Sequence, residues 1–159
     1  MYNTSLRIVN DTAEAEDIMQ ESFLVAFQKL HTWSGEGSFG SWLKRIVVNN
    51  SLDMLRKART MIPLDETNVA LQAEENPVDE TEIQLRAEEI KIAIAQLPDE
   101  YRVVMSLFLF EGYSHEEISH TLSISNNLSR TRYSRARQKV LEMLRSENVK
   151  KINNTYGRS

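Results

Sequence analysis

Apolar residues recur at helical spacing along most of this chain, and short polar interruptions divide them into successive helices. Tyr2, Leu6 and Val9 form the first such set before Asn10-Asp11-Thr12 breaks it. Asp11 or Thr12 then caps a long helix with Glu14 and Glu16 in its first turn, where the helix dipole favours negative charge. Ile18, Phe23, Leu24, Phe27 and Leu30 give that helix a broad apolar face, and Asp17, Gln20, Glu21 and Gln28 show on the other. The stretch HTWSGEGSFGS ends it with three glycines, which reach backbone angles closed to other residues. A third helix, SWLKRIVVNNSLDMLRKAR, is expected from near Ser41 to about Arg59. Leu43, Val47 and Met54 make its apolar stripe with Ile46 at the edge, while Arg45, Asn49, Leu52 and Arg56 project together on the far side. Asn50 falls on the buried stripe and needs a hydrogen-bond partner, expected at a neighbouring helix end or loop. Asp53 and Arg56 stand at i, i+3 and are spaced to pair.

The periodicity fades from Thr60 to Thr81, a stretch with two prolines and a strong acidic bias that reads as a flexible tether. From Glu82 a helix resumes with Ile83, Leu85, Ile90, Ile94 and Leu97 and leads to Pro98. Asp99 starts the next, dense in Val103, Val104, Leu107, Phe108 and Phe110, and Gly112 ends it. Ser114 to Leu144 then reads as two helices around a tight polar turn, SISNN. Ser114 caps the first, which has Glu116 and Glu117 in its first turn and an Ile118–Leu122 pair. Ser125 or Asn126 caps the second, whose Ser129, Tyr133, Ala136, Val140, Met143 and Leu144 share one stripe. Asn127, Thr131, Ser134 and Gln138 lie opposite, flanked by Arg130 and Arg137 on one side and by Arg135 and Leu128 on the other. After Arg145 the tail, with Asn153, Asn154 and Gly157, is expected to fray.

The fold class expected is thus all-α, two small helical domains joined by a flexible acidic linker, with a helix-turn-helix in the second. The boundaries are 1–59 for the first domain, 60–81 for the linker, 82–146 for the second domain and 147–159 for the tail.

Charge changes the picture. The net −4 looks wrong for nucleic-acid binding, but its distribution is uneven. Met1 to Thr60 carries 7 acids and 7 bases, Met61 to Glu100 carries 11 acids against 2 bases, and Tyr101 to Ser159 carries 5 against 10. The acid belongs mostly to the connecting segment, and the last third has the positive field that attracts DNA. Arginines on the last long helix are placed where they can reach phosphates, and its polar face offers side chains that can read base edges.

Other chemistry finds little support. No cysteine is present, which excludes disulfides and thiolate metal sites. The run HEEISH resembles a zinc-protease helix, but its histidines are five apart where that motif needs four. The GEGSFG loop lacks the spacing and the following lysine of a phosphate cradle, and His31 has no evident triad partner. No metal, cofactor or enzymatic activity is expected. A basic-then-apolar leader and a run of about 18 apolar residues are both lacking, so the placement expected is cytoplasmic, without membrane insertion.

AEDIMQESFLVAF, then the glycine-serine-aromatic loop, then SWLKRIVVNNSLDMLRK, then across the tether LPDEYRVVMSLFLFEGYSHEEISHTL and a helix ending SRTRYSRARQKV resemble the extracytoplasmic-function sigma factors of bacterial RNA polymerase. The likeness runs through nearly the whole chain in the family's order. It implies a promoter-directing subunit, with core RNA polymerase, promoter DNA and an anti-sigma factor as partners and no cofactor. Asp17, Gln20 and Glu21 match the face that docks on polymerase. Gly35, Ser38 and Phe39 lie in the loop that takes up an unpaired base of the minus-ten element, and Arg45, Asn49 and Arg56 match the adjoining helix that meets promoter DNA there. Trp42 matches the family's tryptophan at this place, read here as core packing. Asn127, Leu128, Arg130, Thr131 and Ser134 match the helix that reads the minus-thirty-five element. Arg132, Arg135 and Arg137 look like phosphate contacts or internal salt bridges.

Members of the family usually begin with a further stretch forming the first helix of the first domain, whereas Met1-Tyr2-Asn3 enters partway into the helix that follows, so the chain is expected to be short at its N-terminus. An exposed patch at Phe23, Leu24 and Phe27, a dimer or reduced stability is the expectation from that. Ser123 stands where the family often has glycine, and Leu128 and Ser129 where it often has threonine and valine. Leu128 on the groove side is placed to touch a thymine methyl. Two alternatives stay open: a sigma-like interaction protein that binds polymerase or an anti-sigma factor without opening promoters, and a helix-turn-helix regulator independent of polymerase, which a palindromic site would favour.

Overall fold

In the computed structural model the described residues are 1–58 and 87–156, with side chains to Ser146. Among them are seven α-helices and no strand. The expectations for the tether at 60–81, for Glu82, Ile83 and Leu85, and for Gly157 lie outside the described residues. The chain divides into two units, Met1–Thr67 and Asn68–Ser159.

In the first unit α1 (Tyr2–Val9) ends at Asn10, whose left-handed backbone (φ 58°) lets its N–H donate to the Leu6 carbonyl. Asp11 caps α2 (Thr12–Lys29) by accepting from the Glu14 N–H at 2.9 Å. A short 3₁₀ turn, Leu30–Thr32, leads through the glycine loop to α3 (Phe39–Ala58). Each of the three helices packs on the other two. Ile8, Val9, Ile18, Leu43, Val47, Val48, Leu52 and Leu55 fill the centre.

The crossings are lined with small polar side chains. Ser5, Ser22 and Ser51 are fully buried, and each hydroxyl is satisfied within the fold. Ser5 donates to the Tyr2 carbonyl with a longer approach to that of Ala15, Ser51 donates to the Val47 carbonyl, and Ser22 Oγ accepts from Asn50 Nδ2 at 3.0 Å. Asn50 therefore has the partner it needs, but in the middle of α2 and not at a helix end.

Three expectations for this unit are corrected. The buried side of α1 is Thr4, Ser5, Ile8 and Val9, leaving Tyr2 exposed and Leu6 half-buried. Leu52 belongs to the core and not to the far side with Arg45, although it lies only about 20° around the helix from it at ~100° per residue. Two neighbours cover α3, so its buried arc is wider than one stripe. The buried side of α2 is Ala15, Ile18, Ser22 and Ala26, while Phe23 (46% exposed), Leu24 (63%), Phe27 (76%) and Leu30 (47%) face outward. The exposed patch expected there is present.

The second unit contains α4 (Ala87–Ala95), α5 (Asp99–Leu109), α6 (His115–Leu122) and α7 (Asn126–Tyr156). Ala93, Ile94 and Leu97 meet Tyr101 and Met105 of α5 and Ala136, Val140 and Leu144 of α7 in one apolar cluster, with Ile90, Phe110, Tyr133 and Met143 at its margin. The tail expected to fray after Arg145 continues as helix to Tyr156, since no glycine or proline interrupts 146–156. No helix among the described residues is long and apolar enough to cross a membrane.

The turn between α6 and α7 is strained at one residue. Ser123 sits in the left-handed region (φ 55°), while its own N–H and that of Ile124 both donate to the Ser119 carbonyl. An L-residue is disfavoured there and glycine is not. Ser123→Gly is expected to stabilise the unit by about 0.5–1 kcal/mol, raising its Tm by roughly 2–6 °C in calorimetry. An unchanged or lower Tm would place the strain elsewhere.

Candidate nucleic-acid interface

Local chemistry fixes how α6 presents α7. Ser114 and Glu117 form a reciprocal capping box: the Glu117 N–H donates to Ser114 Oγ at 3.2 Å, and the Ser114 N–H donates to a Glu117 carboxylate oxygen at 2.8 Å. Ser125 caps α7 by accepting from the Leu128 N–H at 3.0 Å. His115, the first residue of α6, stacks on Phe108 of α5 with centroids 4.7 Å apart. Tyr133 of α7 completes this three-ring cluster, 4.5 Å from Phe108 and 5.7 Å from His115. His115 Nδ1 also hydrogen-bonds Ser129 Oγ at 2.9 Å, so one side chain joins three helices. Burial, and secondarily the charge of Arg130, lowers the His115 pKa below the usual imidazole value. Burial thus favours the neutral ring, as suits a group packed against two aromatic rings. Burial also raises the Tyr133 pKa, against an opposing pull from Arg137.

Turned outward on α7 are the side chains singled out in the sequence. Asn127 and Arg130 are exposed, and Leu128, Thr131, Ser134, Arg135 and Arg137 are half-buried. Thr131 Oγ1 donates to the Asn127 carbonyl at 2.9 Å, and Arg130 Nε donates to Asn126 Oδ1 at 2.9 Å. Arg132 and Arg135 each make an interaction within the protein. Arg137 lies close enough to Tyr133 for its charge to act on that phenol.

In the first unit Gly35 and Gly37 both have positive φ (79° and 77°). Ser38 is not a free loop side chain: its Oγ accepts from the Ser41 N–H at 3.1 Å and caps α3. Phe39 belongs to the helix, two residues ahead of the start expected from sequence, because Ser38 can cap it there. Its ring, 42% exposed, lies 5.4 Å from Trp33 edge-on and 5.5 Å from Trp42. Further along α3, Arg45 and Asn49 stand one turn apart and exposed, with Arg56 exposed on the same side. Arg56 Nη1 bonds Asp53 Oδ1 at 3.1 Å, the pairing its spacing suggested. Asp17, Gln20 and Glu21 are exposed on α2 beside the apolar strip. The sequence reading missed Asn126 as a partner of Arg130, although their i, i+4 spacing is visible, and missed the contacts of His115, which exist only across the turn.

Comparison with known proteins places both units. The family model described as sigma-70 region 2 matches residues 1–60, and that described as sigma-70, region 4 matches residues 87–140. The chain is 32% identical to the ECF RNA polymerase sigma factor SigE of Mycolicibacterium smegmatis, covering 91% of this chain and 57% of that protein. It is also 32% identical to the RNA polymerase sigma-H factor of Pseudomonas aeruginosa, covering 85% of this chain and 75% of that protein. Among solved structures, the fold is similar to the sigma factor RpoE of Bartonella quintana in complex with the anti-sigma factor NepR, with TM-score 0.60, 21% identity, and 91% and 89% of the two chains covered. It is also similar to CnrH in complex with the cytosolic domain of CnrY, with TM-score 0.55, 21% identity, and 91% and 80% covered. This chain belongs to the extracytoplasmic-function sigma factors of the sigma-70 family.

Proposed function

We propose that this chain directs core RNA polymerase to specific promoters, with each unit holding one part of the promoter. The observation that carries this reading is the ordered pair of sigma regions joined to an α7 whose outward polar row is presented by a rigid three-ring support. The first half of α7 enters the major groove of the upstream element, with Asn127, Leu128, Arg130, Thr131 and Ser134 toward base edges and Arg137 toward phosphate. The loop with Gly35, Ser38 and Phe39, together with Arg45, Asn49 and Arg56 of α3, meets the downstream element. Phe39 offers an exposed ring edge for an unstacked base. Asp17, Gln20 and Glu21 dock on core polymerase. The subunit performs no covalent chemistry of its own, works in the cytoplasm where polymerase is, and is held by an anti-sigma factor, as the sigma factor RpoE of Bartonella quintana is in its complex with NepR.

The exposed strip of Phe23, Leu24, Phe27 and Leu30 favours a second reading, a chain that binds polymerase without opening promoters. Run-off transcription with purified core polymerase and a promoter library separates the two. Specific transcripts that fall at least about tenfold in both Arg130→Ala and Asn49→Ala are expected, each loss being that of one good base contact or more. Polymerase binding with no transcript would establish the second reading.

A further inference from the structure

The first two turns of α7 hold a lock on one arginine. Asn126 is the first helical residue, and its Oδ1 takes the Nε–H of Arg130 one turn later at 2.9 Å. A guanidinium can offer two parallel donors along its side, from Nε with one terminal nitrogen, or across its end, from Nη1 and Nη2. The bond to Asn126 occupies the side edge. Arg130 is exposed, and among the described residues it makes no other hydrogen bond or ion pair. Its Nη1/Nη2 edge is therefore unengaged.

The choice of asparagine matters as well. It holds the guanidinium without cancelling its charge, as a carboxylate would. Nearby polar side chains are differently committed: the Thr131 hydroxyl already donates to the Asn127 carbonyl. An end-on guanidinium at the start of a recognition helix matches the two acceptors, O6 and N7, that guanine alone presents together in the major groove. Fixing the edge before DNA arrives removes side-chain freedom that would otherwise be lost on binding.

We propose that Asn126 is a positioning residue that commits Arg130 to end-on recognition of a single guanine in the upstream promoter element. This rests on the promoter-reading function above, and names one base of that site.

The test uses the full chain assembled with core polymerase and competing promoter duplexes with the upstream element randomised. At the preferred position, guanine is then compared with adenine and with 7-deazaguanine, which lacks N7. The unaltered protein is expected to favour guanine over both by roughly tenfold at one position, the discrimination of a good bidentate contact. Arg130→Ala should abolish that preference. Asn126→Ala should cut it to about threefold or less, with the loss confined to guanine-containing sites, whereas Asn126→Asp, which keeps the acceptor but offsets the charge, should retain the preference while weakening binding to every sequence alike. Full guanine preference in Asn126→Ala would overturn the proposal, as would equal weakening on every sequence, which would mark Arg130 as a phosphate contact. An unaltered protein with no base preference anywhere in the upstream element would instead overturn the functional reading beneath it.

Discussion

Ile118→Ala is expected to destabilise the second unit by about 2–5 kcal/mol, the cost of removing a fully enclosed aliphatic side chain and leaving a cavity. Ile118 is 0% exposed and is the single buried side chain of α6. The other ties of that helix lie at its start: the capping box, the His115–Ser129 hydrogen bond and the stacking of the His115 ring on Phe108 and Tyr133. Each contributes about 1 kcal/mol, so the apolar plug dominates. Loss of Ile118 should thus loosen α6 before the rest of the unit and let the turn at Ser123 relax. Urea denaturation followed by circular dichroism measures the stability. Amide hydrogen exchange should show protection lost first at 115–122. A destabilisation under about 1 kcal/mol would mean that α6 is held elsewhere.

A second large effect lies at the start of α5. Arg102 is only 4% exposed, yet it carries a guanidinium. Its Nη2 meets Asp99 Oδ1 at 2.6 Å and its Nη1 donates to the Leu97 carbonyl at 3.2 Å, so it fastens α5 to the end of the segment after α4. Removing one partner of a buried pair is costlier than removing the charge itself. Asp99→Ala should therefore destabilise by about 2–4 kcal/mol, short of the full buried-pair value because Asp99 is partly exposed. Arg102→Met, which fills the same channel without charge, should cost at most about 1 kcal/mol, with Asp99 remaining favourable at the helix N-terminus. Denaturant midpoints decide the order. If Arg102→Met proves the worse of the two, the pair is a net stabiliser and this ranking is wrong.

Much of this architecture is legible in the residues. Caps announce themselves locally, and so Asp11, Ser114 and Ser125 begin helices where the sequence suggests. The stripe of α7 from Ser129 to Leu144 is buried or half-buried as its periodicity implies. What periodicity misses is the number of neighbours. It treats the largest apolar residues as the buried ones, whereas α2 hides Ala15, Ser22 and Ala26 because close helix crossings need small side chains, and turns Phe23, Leu24 and Phe27 outward. Arg102 was invisible for a related reason. Its partners, Asp99 and the Leu97 carbonyl, make burial of a charge tolerable, and no pattern of hydrophobicity records that. In the candidate interface, residue types and the face they share could be read directly. Which of them are engaged within the protein could not, as the bond between Arg130 and Asn126 shows.

The ring cluster beside the glycine loop has a spectroscopic consequence. The chain has two tryptophans, Trp33 and Trp42, and both touch Phe39 in the first unit. The second unit's own ring cluster contains phenylalanine, histidine and tyrosine, which emit weakly or not at all when tryptophan is excited at its red edge. Intrinsic emission from the unlabelled protein therefore originates in the first unit and responds to whatever slides against Phe39.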